Sequence, residues 1–499
     1  MKATYVLGAA ALAVLACNGS ALAAPVAQEA ATAAADLRAA VTNGRVRAFY
    51  EAHGWRPVWT EARARELGRI LDGAMAHGLA HGRFLPAKAA RATGVAREVA
   101  LTRAALGYAD ALARGVVDPK ELRETFTLQR ADADVAVGLA GALDEGSLAA
   151  WFDGLAPRSD EYRALSAAYR GTVRSGGERR DVPAGDPIGE GDAGARVPLV
   201  RAALDDRGYP DASAGDGDRY GAALAAAVRR FQRDHGLRVD GVVGPDTLAL
   251  LNQGAADRAR RLAVNMERLR WLDRDPPPTR VDVDTGAAEL VYRRDGAIAD
   301  RRPVIVGRPD WETPQLGSPI FRLVANPNWT VPKSIEEAEL AGKSAAYLKA
   351  RNMVRRDGWI VQLPGPDNAL GQVKFDMRNR YAIYLHDTPA KGLFDRADRH
   401  LSHGCVRVED ALGFARALAE QEGMLARFEE AMATGEETYV DLPREIPVRL
   451  FYRTAQVGAD GGVRLIADAY GWDADLAEAM GLGAVAKRAQ SEKIDDLGP

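Results

Sequence analysis

A thiol, an imidazole, a glycine and a guanidinium meet within Ser402-His403-Gly404-Cys405-Val406-Arg407, and a second imidazole, His386, stands upstream in Tyr384-Leu385-His386-Asp387-Thr388. A cysteine attacks a carbonyl only as its thiolate, so it needs a base or a positive neighbour. His386 and His403 are the available imidazoles. His403 lies two residues before Cys405, which in extended backbone puts both side chains on one side. Gly404 lets the chain turn tightly beside the thiol, where amides can face a developing oxyanion. Arg407 can hold a carboxylate through two hydrogen bonds. Two other readings stay open. His386, His403 and Cys405 could be three zinc ligands, although the chain offers no fourth cysteine or paired CxxC; or Cys405 is an inert core residue, with His400 and His403 as polar loop residues.

The chain must position this stretch and keep its thiol usable. Its N-terminus runs from Met1-Lys2 through an apolar segment to Ala21-Leu22-Ala23-Ala24-Pro25, the small-apolar-small pattern of an export signal cut after residue 24. A lipoprotein signal acylated at Cys17 is the rival, but Leu15 stands where a small residue belongs. The sequence holds only two cysteines. Cleavage removes Cys17 and leaves Cys405 unable to form an internal disulfide, and a lone thiol in an oxidising compartment points to a nucleophile. With 499 residues and an apolar fraction of 47%, several folded domains are expected. Sixty-six basic and 69 acidic residues, a net charge of -3, give no field for nucleic acid. No segment beyond the signal is apolar enough to cross a bilayer.

Taken in order, residues 25–180 read as short helices: Val46, Phe49 and Tyr50 recur at helical spacing, as do Leu101, Ala105, Tyr108 and Leu112. Trp55, Trp59 and Trp151 read as core. His53, His77 and His81 have no metal-ligand partners and receive no role. A Gly- and Pro-rich linker leads to a compact three-helix unit over 186–254, with stripes at Val197, Val200 and Leu204 and at Leu224, Val228 and Phe231. A connecting helix and linker follow over 255–278. From Arg280 the period changes to two, and strands are predicted at 280–284, 289–292, 302–306, 320–324, 359–363, 373–375, 382–385, 448–452 and 463–466. Many short strands with turns suggest a β-sandwich over 279–485. A charged helical insertion, about 333–357, reads as a lid, and 486–499 as a tail.

Two resemblances follow from these residues. Phe231-Gln232-Arg233-Asp234-His235-Gly236-Leu237, with Asp240-Gly241-Val242-Val243-Gly244-Pro245-Asp246-Thr247-Leu248, resembles the peptidoglycan-binding domain found beside cell-wall enzymes. It implies a glycan or stem-peptide partner and names no binding residue. His386 followed by Ser402-His403-Gly404-Cys405-Val406-Arg407 resembles the L,D-transpeptidase catalytic signature. That likeness includes Asn326-Pro327-Asn328-Trp329, Asn368-Ala369-Leu370-Gly371 and Asp468-Ala469-Tyr470-Gly471. The whole is similar to the large multidomain periplasmic L,D-transpeptidases, with a helical scaffold domain at the N-terminus. Val408 departs from the asparagine that many short members carry there.

The resemblance implies a multidomain α+β chain. An all-α scaffold domain and a three-helix peptidoglycan-binding domain would precede a β-sandwich-like catalytic domain with a helical lid. It implies Cys405 as nucleophile and His386 as general base, held through backbone contact near Asp387. His403 and Gly404 would lie in the oxyanion region, and Arg407, Ser402, Asp387 and Trp329 would contact substrate. The implied reaction is formation of 3-3 cross-links between stem peptides through a cysteine thioester, with release of D-alanine. No cofactor and no metal are implied. Hydrolysis of the same thioester, an L,D-carboxypeptidase reaction, is the near alternative, with transfer to an outer-membrane lipoprotein as another. A non-catalytic wall-binding protein is the reading from a different class. Expected partners are stem peptides, a tetrapeptide donor and a diamino-acid acceptor, together with peptidoglycan synthases; the expected location is the periplasm.

Overall fold

The computed structural model describes residues 32–175, 181–210, 217–458, 460–483, 485 and 498. The expected export signal lies outside them, as does the expected tail apart from Gly498. No helix among the described residues is long and apolar enough to cross a membrane.

Two compact units divide the chain. The first takes the described residues through Asp72, His81–Ala109 and Asp134–Asp153. It contains α1 (Gly44–Ala52), α2 (Glu61–Asp72), most of α3 (Gly94–Arg114) and α4 (Val135–Glu145). Asn43 caps α1 by accepting from the amides of Arg45 and Val46, and α1 buries Val46, Phe49 and Tyr50, the face its spacing predicts. Opposite them, buried Glu98 accepts from the amides of Val58 (2.6 Å) and Trp59 (3.3 Å) and from the Tyr50 hydroxyl (3.0 Å). A buried carboxylate is tolerated because three donors surround it.

The second unit takes the remainder, so the helical N-terminal region contributes to both. After α5 (Asp160–Ser175) come the three short helices α6 (Arg196–Asp205), α7 (Ala222–Asp234) and α8 (Pro245–Leu251). Phe231 is fully buried among them. Gln232 explains its own place in the motif: its amide donates to Asp240 Oδ1 and the Val242 carbonyl, both at 2.9 Å, and accepts from the Gly241 amide at 2.8 Å. That clamp fixes the turn, where Gly241 takes φ +77°.

The next helix, α9 (Ala255–Trp271), is the spine of this unit. Every residue from Arg261 to Trp271 is buried, which a helix this polar tolerates only if its charges are paired. Arg261 and Arg268 meet Asp473 at 2.8 and 2.5 Å, and Arg270 meets Glu267 at 2.6 Å. Glu267 also accepts from the amides of Val116 and Val117.

The β region begins with β1 (Arg280–Asp284), β2 (Glu289–Arg294), β3 (Ala297–Gly307), β4 (Leu316–Gly317) and β5 (Ile320–Ala325). It continues through β6 (Trp329–Thr330), β7 (Met353–Arg356), β8 (Trp359–Gln362), β9 (Val373–Met377), β10 (Leu385–His386), β11 (His400–Ser402) and β12 (Val406–Val408). After α10 (Ala411–Gln421) and α11 (Leu425–Ala433) come β13 (Thr438–Ile446) and β14 (Val448–Phe451). One sheet runs β13-β5-β9-β10-β12-β3-β2-β1-β14-β4, with β11 added in parallel to β3. The expected sandwich-like domain is built as a single curled sheet. β3 belongs to both halves, pairing β2 through its first part and β12 through its last. Val281, Val283, Leu290, Leu323, Phe375 and Phe414 of α10 fill the space inside the curl.

Two differences from expectation have local causes. Strand β13 was not predicted: Pro443 interrupts its pattern, and the ladder to β5 shifts register between Asp441 and Ile446. The insertion is not purely helical. Besides short helices at Lys333–Ile335 and Ala345–Ala350 and a π-helical turn at Glu336–Leu340, it carries β7, and β6, β8 and β7 form a small sheet. Asp357 and Gly358, at φ +49° and +80°, make the tight turn that joins β7 to β8.

Candidate active site

The pairing of β10 with β12 builds the site. These strands are parallel, with Leu385 opposite Val406 and His386 opposite Arg407, and the Val406 amide donates to the Tyr384 carbonyl at 3.1 Å. Register therefore sets Cys405 beside Tyr384, and Arg407 beside His386. Loop residues 387–399 close a gap that the sequence leaves open.

His386 is fully buried. Its Nδ1 lies 2.5 Å from the Asp387 carbonyl oxygen, which can only accept, so the proton sits on Nδ1. Nε2 is buried and without a hydrogen-bond partner. Burial, and then the positive charge of Arg407, hold the imidazole well below its ordinary pKa. The ring is thus neutral, with its open lone pair on Nε2.

Burial pushes the Cys405 thiol up to about 11. Its Sγ donates to the Ala382 carbonyl at 3.7 Å, and the neighbouring Tyr384 partly offsets the effect of burial on the thiol. The resting pair is therefore thiol and neutral imidazole, a state from which a thiol can act as a nucleophile only if its proton is taken up as it attacks.

Gly404 takes φ +111°, a conformation that L side chains rarely adopt. The bend has a consequence for His403. The extended alternation that would place i and i+2 together stops at Gly404, and His403 is engaged by three neighbours of its own. Its Nε2 lies 2.6 Å from Glu339 of the insertion, its Nδ1 lies 2.5 Å from the Gly498 carbonyl, and its ring meets Trp311 edge-on at 4.8 Å.

The other residues expected at the substrate are engaged or buried within the fold. The Ser402 hydroxyl is spent inside the loop, donating to the Cys405 carbonyl (2.6 Å) and accepting from the Gly404 amide (3.2 Å). Thr313 adds a second brace, donating to the Gly404 carbonyl at 2.8 Å. The Asp387 carboxylate accepts from the Gln372 amide at 2.9 Å and pairs with Lys391, while its carbonyl holds His386. Trp329, expected at the substrate, is 1% exposed in the insertion's own core with Val331, Ile335 and Ile360. Arg407 is 1% exposed beside His386. His400 is held between Asp398 and the Thr285 carbonyl, each at 2.9 Å. Among the described residues no group of three or more His, Cys, Asp or Glu could hold a metal ion.

The sequence assigns no individual role to Tyr384, Trp311, Glu339 or Gly371. Tyr384 was within its reach, since it stands two residues before His386 in a strand-like run. Gly371 carries a subtler constraint: at φ +60°, a Cβ there would come within 2.3 Å of the Asp387 carboxylate.

Three family models match the chain. Residues 278–426 match the L,D-transpeptidase catalytic domain, 193–251 the "putative peptidoglycan binding domain" and 44–168 the scaffold domain. A curated protein of Haemophilus influenzae, described as "putative L,D-transpeptidase", is 32% identical over 241 residues, 44% of this chain. The chain spans about half of that relative's length, 49%. Among solved structures, the L,D-transpeptidase from Mycobacterium smegmatis is 13% identical over 35% of this chain and 58% of its own, with TM-score 0.21. Residues 123-326 of the L,D-transpeptidase from Xylanimonas cellulosilytica are 20% identical over 54% of this chain and 99% of their own, with TM-score 0.19.

Proposed function

We propose that this chain, which carries an L,D-transpeptidase catalytic domain over residues 278–426, joins peptidoglycan stem peptides by 3-3 cross-links through a thioester on Cys405. The observation that carries the proposal is the buried, unpartnered Nε2 of a neutral His386 on the strand beside Cys405. As Sγ attacks the carbonyl of the third stem residue, the thiol proton passes to Nε2. The same proton then leaves with the D-alanine amine as the carbon–nitrogen bond breaks. The side-chain amine of a second stem's diamino acid attacks the thioester, gives its proton to Nε2 and returns the thiol.

The Gly404 amide is engaged by Ser402, so the amide of Cys405 is the donor we assign to the oxyanion. Arg407 holds the site electropositive and adds to the burial that keeps His386 neutral. The three-helix unit anchors the enzyme on the wall, and residues 1–24 direct it to the periplasm, where synthases would supply nascent strands.

Incubation with disaccharide-tetrapeptide followed by mass analysis tests this reading. A dimer lacking one D-alanine, formed by the native protein and absent with Cys405→Ala, is the expected result. Tripeptide alone would make the enzyme a carboxypeptidase, and unchanged cross-linking by Cys405→Ala would sink the cysteine mechanism.

A further inference from the structure

A second polar cleft, of about 640 Å³, shares no lining residue with the site around Cys405. Alternation builds it. Val281, Val283, Leu290, Tyr292 and Leu450 point into the core of the curled sheet, so Arg280, Asp282, Arg293 and Arg449 stand on the opposite face. Eight arginines and five carboxylates line this cleft, an excess of positive charge in a protein whose net charge is -3.

Its centre is electrostatically incomplete. One carboxylate, Asp282, serves three guanidiniums: Arg449 at 2.7 Å, Arg280 at 2.9 Å and Arg293 at 3.8 Å. Arg280 and Arg293 are also direct cross-strand partners of β1 and β2, an arrangement in which like charges destabilise a sheet. Burial and the neighbouring Arg449 and Arg293 hold Arg280 below its ordinary pKa. A ligand bringing negative charge would offset that repulsion, and arginine forks match carboxylates in two-point hydrogen bonding.

The cleft is long as well as cationic. An adjoining cleft of about 400 Å³ shares Glu289, Arg301 and Gln456 with it, reaching Arg233 on α7 of the three-helix unit and His400 on β11. We propose that this path seats a peptidoglycan strand lying apart from the reacting stem, gripped through the free carboxylates of its stem peptides and continuing to the three-helix unit. The inference rests on peptidoglycan being the substrate, as proposed above.

Co-sedimentation of the full chain with purified sacculi tests it, using native sacculi and sacculi stripped of stem peptides by an amidase. Arg293 and Arg301 are partly exposed, at 32% and 52% of their side chains, so both can be changed with little disturbance of the core. Binding by the Arg293→Glu, Arg301→Glu variant should weaken about tenfold, and Arg293→Lys with Arg301→Lys should keep most of it. Stripping should weaken the native protein to the level of the Glu variant, and salt should do the same. Equal binding by the native and Glu proteins, or binding indifferent to stripping, would overturn the cleft. Turnover of soluble disaccharide-tetrapeptide by the native protein, measured alongside, separates this failure from failure of the transpeptidase reading.

Discussion

His386 Nδ1 lies 2.5 Å from the carbonyl oxygen of Asp387, the residue that follows it. The orienting acceptor is therefore backbone, and a neutral carbonyl directs the ring while favouring its protonated form less than a carboxylate would, so burial and Arg407 outweigh it. Replacing His386 by asparagine removes the only unpartnered base placed beside Cys405 among the described residues. Turnover of the tetrapeptide should fall about 100- to 10,000-fold with little change in thermal stability. A steady-state comparison at neutral pH checks this.

The pH profile follows from the directions of the two shifts. His386 lies well below its usual 6.5, so it stays a competent base as pH falls through 6.5, and the acid limb of kcat/KM should lie well below that value. The folded state also binds fewer protons at this site than the unfolded chain does. His386 should therefore cost stability progressively as pH drops below 6.5, a slope missing from His386→Asn. Cys405, pushed up to about 11, should show no thiolate absorbance at neutral pH, and its alkylation rate should climb into the alkaline range.

Gly371→Ala tests how Asp387 is held. The new methyl group would clash with the Asp387 carboxylate and force alanine to φ +60°. A stability loss of about 1–3 kcal/mol is expected, with a fall in kcat larger than any change in KM, because the displaced carbonyl no longer fixes His386. Denaturant unfolding and initial rates read the two effects separately.

Asp473→Ala tests the spine. The substitution strands Arg261 and Arg268 in the interior, and loss of one partner from a buried ion cluster costs about 3–5 kcal/mol. Thermal unfolding should show this variant far less stable than one altered at the exposed Arg163–Asp160 pair.

Glu339→Ala cuts the 2.6 Å link between the insertion and His403. Faster proteolysis within 333–357 is expected, mapped by mass spectrometry, with the rest of the digestion pattern unaltered.

Much of this was legible because period and chemistry agreed. The strands at 280–284 and 320–324 stood out by alternation, and Cys405 and His386 by residue type beside turn-forming glycine. The curl of the sheet was not legible, since it depends on one long strand, β3, serving two neighbours along its length. The contacts of His403 were not legible for a related reason: two-residue parity holds only in unbroken extended chain, and the backbone at Gly404 leaves that region. Trp329 and Ser402 belong to conspicuous motifs, yet one fills a small core and the other braces a loop. Motif membership marks residues that matter without separating those that touch substrate from those that hold the frame.

Intact-protein mass spectrometry during tetrapeptide turnover tests the central claim most directly. The account predicts a transient adduct equal to the disaccharide-tripeptide acyl group, mapped by digestion to the peptide containing Cys405 and absent from Cys405→Ala. Accumulation of product under the same conditions with no adduct on Cys405, or with an adduct on any other residue, would contradict it.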